Sequence, residues 1–209
     1  MGLESNYSLK NFDPEVLREY DIRGIVDKNL STNTAFTIGL TFGYTLKKIT
    51  PLSKVAVGYD GRLTSPKLHN ALCKGLTESG VNVISIGMCP TPMIYFAHYH
   101  LETNAVIMVT GSHNPSDYNG FKMVLNKHSF FADKIQNLQS IIQNEKLYIE
   151  KGSIVEENII NEYVKRVLQN ININKKLKIA WDMGNGAMGL VINEITSQLK
   201  NTNNILINE

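Results

Sequence analysis

Short β-type runs alternate with helix-length amphipathic stretches along this chain. That alternation predicts an α/β fold: a mixed, mostly parallel sheet with flanking helices, followed by an incomplete second α/β domain. Three observations carry the prediction. Apolar residues recur at helical spacing between the β-type runs. The segment Ala105-Val106-Ile107-Met108-Val109 is apolar throughout, as a central strand covered on both faces must be. A fresh strand–helix–strand pattern opens at Leu177, and the sequence stops within it, too soon to build a core of its own.

Taken in order, residues 34–48 read as the first helix. Ile38, Phe42 and Leu46 repeat every four residues, and Lys47 and Lys48 close the last turn, where the helix dipole favours cations. Val55-Ala56-Val57-Gly58-Tyr59-Asp60 follows as a strand ending in a turn. A second helix spans 66–79, opened by Ser65-Pro66 and stopped by Gly80. Val81-Asn82-Val83-Ile84-Ser85-Ile86 is the next strand, followed by a short helix from Pro92 to about Tyr99 and then the apolar strand 105–109. Residues 133–146 and 155–170 look helical, the second with an apolar face of Ile160, Tyr163, Val164 and Val167; residues 148–153 read as a linker. The predicted domains are therefore 1–150 and the start of a second, 151–209. In the second, Leu177-Lys178-Ile179-Ala180-Trp181 is a strand, 184–189 a turn, a helix runs to about Lys200, and a strand occupies 204–207.

Composition removes several classes of function. Apolar residues make up 43% of the chain and charged residues 19%, ordinary for a globular protein with a buried core. A net charge of +2 is too small to imply a nucleic acid or a membrane surface as partner. Cys73 and Cys89 show no C-x-x-C or metal-type spacing, so a reduced, cytoplasmic protein is expected. The opening Met-Gly-Leu-Glu-Ser-Asn lacks the basic-then-apolar order of a signal peptide, and Asn6 stands where a myristoylation signal wants Ser or Thr. No apolar run approaches bilayer-spanning length.

Ligands of such sheets bind at the carboxyl ends of the strands, where three loops fall: 58–62, 87–92 and 110–119. The third is the most informative. It runs Thr110-Gly111-Ser112-His113-Asn114-Pro115-Ser116-Asp117-Tyr118-Asn119-Gly120-Phe121-Lys122. Gly111 and Gly120 admit positive φ, and Pro115 fixes its own. Ser112 is thereby exposed at a strand end, with His113 beside it and Lys122 on the loop's return. This suits a nucleophilic or phosphate-carrying serine with acid/base groups nearby. Without further information the same residues favour a plain polar turn between strands.

The loop resembles the active-serine loop of the α-D-phosphohexomutases, the phosphomannomutase/phosphoglucomutase family. Four further segments agree in the family's order. Glu19-Tyr20-Asp21-Ile22-Arg23-Gly24 resembles its N-terminal Tyr-Asp-x-Arg-Gly, and Val57-Gly58-Tyr59-Asp60-Gly61-Arg62 with Ser65-Pro66 its Gly-x-Asp-x-Arg stretch. Gly87-Met88-Cys89-Pro90-Thr91-Pro92 is similar to its Gly-x-x-Pro-Thr-Pro turn, and Asp182-Met183-Gly184-Asn185-Gly186-Ala187 to the start of its second domain. The resemblance runs from about residue 12 to the end, and five motifs in register make coincidence an unattractive account.

The resemblance implies that 1–150 is domain I of that fold, that 151–209 begins domain II, and that domains III and IV are missing from this sequence. It implies interconversion of hexose 1-phosphate and 6-phosphate through a phosphoserine at Ser112 and a sugar bisphosphate, with hexose 1,6-bisphosphate as activator. Mg²⁺ would contact the Ser112 phosphate. Lys122 is the expected general acid/base on the sugar hydroxyl, with His113 assisting or shaping the loop. Asn114 is expected to bond the loop or the phosphate, Arg23 to offer phosphate a guanidinium fork, and Tyr20 to line the sugar site. Arg62 is expected to brace the loop through ion pairing. The family's Asp-Gly-Asp-Gly-Asp-Arg metal loop, its Gly-Glu-x-Ser-Gly-His segment and its phosphate clamp occur nowhere in the 209 residues. The carboxylate ligands of Mg²⁺ are thus absent, and little or no mutase activity is expected of this chain alone.

Two rival readings exist. Gly184-Asn185-Gly186-Ala187-Met188-Gly189 is a literal G-x-G-x-x-G between strand and helix, with Glu209 about twenty residues on, as in dinucleotide-binding enzymes. Against it, Asp182 would repel a pyrophosphate. The other is a non-enzymatic fragment that complements a second chain carrying the missing domains.

Overall fold

The structure, a computed structural model, describes Tyr7 and residues 9–209; the signal-peptide and myristoylation readings of the first six residues lie outside it. Its elements are β1 (Ile22–Ile25), α1 (Thr32–Ile49), β2 (Lys54–Tyr59), α2 (Ser65–Glu78), β3 (Asn82–Met88), α3 (Thr91–His100), β4 (Ala105–Val109) and β5 (Tyr118–Leu125). There follow β6 (His128–Ser129), α4 (Asp133–Asn144), β7 (Ile154–Glu156), α5 (Ile160–Leu168), β8 (Leu177–Asp182), α6 (Gly189–Gln198) and β9 (Thr202–Ile207). One mixed sheet has the order β1-β5-β4-β2-β3-β7, with β6 paired to β5, and β8-β9 form a separate parallel pair. β4, β2, β3 and β7 are parallel, whereas β5 runs antiparallel to both β4 and β1. No helix among the described residues is long and apolar enough to cross a membrane.

The central strand shows why the sheet is covered on both faces. Side chains alternate along a strand, so Ala105, Ile107 and Val109 enter one core with α1, α2 and α4. Val106 and Met108 enter the other, with α3, α5 and α6. On the first face α1 and α2 pack closely enough that a Cβ on Gly39 would strike the Leu72 carbonyl and one on Gly75 the Phe36 carbonyl.

Periodicity locates most elements to within about two residues, the usual uncertainty of helix and strand ends. α1 starts earlier than its apolar repeat because Ser31 caps it, its side chain taking the Thr34 N–H while Thr34 answers to the Ser31 backbone. The region after α4 departs further from expectation. The segment 148–153, expected as a linker, is tied to the end of α2: Glu150 N–H donates to the Glu78 carbonyl and Gly152 N–H to the Thr77 carbonyl, both at 2.8 Å. The start of the expected helix 155–170 is instead strand β7. An open edge of β3 leaves backbone groups unpaired, and β7 meets them: Val83 N–H reaches the Ser153 carbonyl at 2.8 Å and Glu157 N–H the Ser85 carbonyl at 2.9 Å. Periodicity does not mark β1 or β6 either, since both exist by long-range pairing with β5.

The β8-β9 pair is attached through helices. Tyr163 of α5 meets Phe96 of α3 with ring centroids 5.6 Å apart. Val191 and Ile195 of α6 share a core with Met93 and Ala97 of α3. This packing sets the turn before α6 beside the carboxyl end of the large sheet.

Candidate active site

The apolar run of β4 ends at Thr110, and the chain turns there. Thr110 N–H donates to the Gly120 carbonyl at 3.0 Å, and its Oγ1 accepts the Ser112 N–H at 2.8 Å. Ser112 is held at φ +52°, a left-handed conformation that costs a non-glycine residue about 1–2 kcal/mol. Such strain survives only where the surroundings enforce it. The Ser112 side chain is exposed, and its Oγ lies 3.2 Å from His113 Nδ1.

Arg62 does most of the enforcing. Its Nη1 donates to the carbonyls of Pro115 at 2.6 Å and Tyr118 at 3.0 Å; its Nη2 donates to those of Asn114 at 2.6 Å and Ser112 at 3.1 Å. One planar fork therefore gathers four carbonyls of a single loop, a geometry that an ammonium group lacks. Asp60 orients that fork, its Oδ2 lying 3.4 Å from Arg62 Nε. The same carboxylate accepts the Gly111 N–H at 3.0 Å, the Arg62 N–H at 3.1 Å and the Ser65 hydroxyl at 2.5 Å. Asn119, fully buried, donates to Thr64 Oγ1 and Ser65 Oγ at 2.9 Å each and so ties the loop's far end to α2.

The other expected site residues fall in different places. Asn114 donates from its backbone N–H at 3.1 Å and its Nδ2 at 3.2 Å to the Gly111 carbonyl. Arg23, only 3% exposed, also donates to that carbonyl and pairs with Asp21, while its Nε–H has no partner among the described residues. Lys122 sits within β5, directly across from Met108 of β4. Tyr20 is 74% exposed.

A cleft of about 580 Å³ opens over Ser112. Ser112, His113, Asn114 and Arg62 line it, whereas Lys122, Arg23 and Tyr20 do not. Met108 does, and Lys122 is its cross-strand neighbour on the same sheet face. The turn Asn185-Gly186-Ala187-Met188 lines the cleft as well. Cys89 also lines the cleft, but burial pushes its thiol up to about 12, which leaves it protonated and a poor nucleophile at neutral pH.

The donor set does not suit Mg²⁺. Asp60 is the one carboxylate in the lining, and both its oxygens are engaged by loop donors. No cluster of three His, Cys, Asp or Glu able to hold a metal occurs among the described residues. The glycine turn is likewise self-contained. Asp182 takes the Gly184 N–H at 2.9 Å and Asn208 Nδ2 at 3.0 Å, which hold its carboxyl below the usual range. The N–H groups of Asn185 and Gly186 go to the carbonyls of Asn208 and Met183, and Glu209 accepts from Asn193. A dinucleotide pyrophosphate would find these amides occupied and the ribose-binding acid engaged.

Comparison with known proteins assigns the fold that carries this site. Residues 14–149 match the family model described as phosphoglucomutase/phosphomannomutase, alpha/beta/alpha domain I. The chain belongs to the phosphoglucomutase/phosphomannomutase family. It is 40% identical over 185 residues to a phosphomannomutase/phosphoglucomutase of Pseudomonas syringae pv. tomato, covering 88% of this chain and 39% of that protein. It is 38% identical over 189 residues to a phosphoglucomutase of Neisseria meningitidis serogroup B, covering 90% of this chain and 41% of that one. The crystal structure of a family member from Burkholderia thailandensis superimposes with a TM-score of 0.86 at 35% identity, over 94% of this chain and 44% of that chain. The chain thus spans roughly two fifths of the length of the curated relatives it matches.

Within this mutase-family frame, three groups escape a reading by sequence. Asp60 lies in a recognised motif, yet its hold on the serine loop depends on a contact to Gly111, more than fifty positions away. Thr110 reads as the end of a strand, not as the acceptor that sets Ser112. Asn185 reads as one member of a glycine turn, and only the packing of α5 and α6 brings it to the cleft.

Proposed function

We propose that this chain carries the phosphoryl-accepting part of a phosphohexomutase, an enzyme interconverting hexose 1-phosphate and hexose 6-phosphate, with Ser112 as the phosphorylated residue. The observation that carries this reading is an exposed serine at the end of the central strand, in a left-handed conformation that Arg62 enforces through four carbonyls.

In the accepting step the Ser112 hydroxyl attacks a phosphorus of a hexose 1,6-bisphosphate. The Oγ–P bond forms as the bond from phosphorus to the sugar oxygen breaks. The hydroxyl proton passes to His113, and the departing sugar oxygen takes a proton from Lys122; the reverse transfer restores both. Such chemistry depends on positioning and charge stabilisation more than on covalent assistance. Asn114 and Arg23 act through the Gly111 carbonyl to keep the loop in register, and Arg62 and Asp60 hold its backbone. Tyr20 stands outside the cleft and takes no part in the transfer as written. The described residues do not compose a Mg²⁺ site, and no step of the transfer is routed through the ion.

The test is intact-mass and peptide mass spectrometry of the purified 209-residue chain before and after incubation with glucose 1,6-bisphosphate. One added phosphate mapped to Ser112, and none in Ser112→Ala, is the expected result. An unmodified Ser112 would overturn the proposal. Steady mutase turnover by this chain alone is expected to be negligible, and robust turnover would show that no further ligands are needed.

A further inference from the structure

We infer that Asn185 is a phosphoryl-binding residue, contacting the phosphate carried by Ser112 within the cleft that both residues line. This inference rests on the reading of Ser112 given above. It gives the β8-β9 unit a direct part in phosphoryl acceptance.

A phosphorylated serine adds nearly two negative charges and several strong acceptor oxygens, and these need donors that are not already engaged. On the Ser112 side three of the polar groups are taken, while the hydroxyls of Thr91 and Ser116 make no hydrogen bond among the described residues. Arg62 is bound to four carbonyls, Asp60 to three donors, and Asn114 Nδ2 to the Gly111 carbonyl. From the turn before α6 the lining residues are Asn185, Gly186, Ala187 and Met188, and Asn185 alone among them has a polar side chain.

The Asn185 carboxamide is exposed and has no hydrogen-bond partner among the described residues, while its backbone N–H is fixed to the Asn208 carbonyl at 2.8 Å. Backbone anchoring with a free side chain is the arrangement expected of a ligand-facing group. The carboxamide supplies two N–H donors without adding charge. It can therefore serve the phosphorylated state without locking the bare cleft into an ion pair. The turn itself is firm, because Asp182 holds Gly184 N–H and Asn208 Nδ2 together.

The test uses two variants and one rate. Asn185 has φ +54°, a conformation natural to glycine, so Asn185→Gly deletes the carboxamide without straining the backbone. Asn185→Asp keeps the size and replaces a donor by a charge that repels phosphate. The rate of Ser112 phosphorylation by glucose 1,6-bisphosphate is followed by mass spectrometry, with circular dichroism confirming that each variant is folded.

Loss of one donor to a charged oxygen is expected to slow labelling about tenfold in Asn185→Gly. Asn185→Asp should be slower still, about a hundredfold, with added salt narrowing the gap between the two variants. A purely structural role would not produce that charge order or its salt dependence. Wild-type labelling with both variants labelled at the same rate would overturn the role of Asn185 and leave Ser112 standing. An unlabelled wild type would overturn both.

Discussion

The Arg62 guanidinium lies so close over Gly111 that a Cβ at position 111 would overlap it. This one approach explains why the residue before Ser112 has no side chain. The loop is shaped around the arginine, and the arginine has room only because the loop begins with glycine.

Gly111→Ala is therefore expected to destabilise the fold, since overpacking a buried position costs about 1–3 kcal/mol. It should also displace Arg62. Urea unfolding gives the first effect as a lower midpoint, and hydrogen exchange gives the second as faster exchange of the amides at 112–118. An unchanged midpoint would mean that the arginine moves aside freely.

Arg62→Lys keeps the charge and loses the fork. A single ammonium cannot reach four carbonyls in the positions they occupy, so the loop between Gly111 and Tyr118 loosens. Each lost hydrogen bond is worth about 1 kcal/mol. Local opening of the loop should become easier by about 2 kcal/mol while the rest of the sheet keeps its protection. The readout is native-state hydrogen exchange.

Ser112→Gly separates strain from chemistry. Glycine accepts φ +52° without cost, so the variant should be more stable than wild type by about 1 kcal/mol and wholly unable to take a phosphate. Thermal melting with phosphate mapping tests both halves. A destabilised variant would show that the serine side chain contributes more to the loop than its backbone costs.

His98 makes stability depend on pH. Its Nδ1 lies 3.0 Å from Thr103 Oγ1, and its Nε2 accepts the Lys127 N–H at 3.0 Å. Burial first, and the Lys127 charge second, lower its pKa from 6.5. Buried His69 shifts the same way, again chiefly by desolvation. The unfolded chain therefore binds protons more readily than the folded one. Stability is complete above about pH 6.5, the unfolded value, and is lost as pH falls through the lower folded values. His98→Gln should flatten part of that decline in a series of thermal melts; an identical slope would assign the effect to other groups.

Cys73 and Cys89 are both buried, and desolvation pushes each thiol up to about 12. Neither should react with a chromogenic disulfide at neutral pH until the protein unfolds. Rapid reaction of Cys89 in the native protein would show that the cleft wall beside Thr91 opens.

Some of this was legible before any coordinates. Helix periodicity, the five-residue apolar run of β4, and the glycine and proline turns are local properties, and they located nearly every helix and parallel strand. The serine loop stood out because its motif is contiguous. What escaped was set by distant partners. β1 is a strand only because Ile22 and Arg23 pair with Phe121 and Gly120. β7 is a strand because β3 has an open edge, although helix-type spacing begins only a few residues later.

The amino-acid sequence by itself determined the α/β class, the order of the helices and of most parallel strands, the family and the position of the serine. These follow from side-chain volume, alternation and backbone freedom, which act within a few residues. The tertiary structure alone decided what surrounds that serine. It turned Arg62 toward the loop backbone, directed Arg23 to the Gly111 carbonyl, set Lys122 beside Met108, and brought Asn185 to the cleft. Hydrogen bonds and ion pairs act over only a few ångströms, and the residues they join here stand tens of positions apart. Only the packing of helices on both faces of the sheet could bring them together.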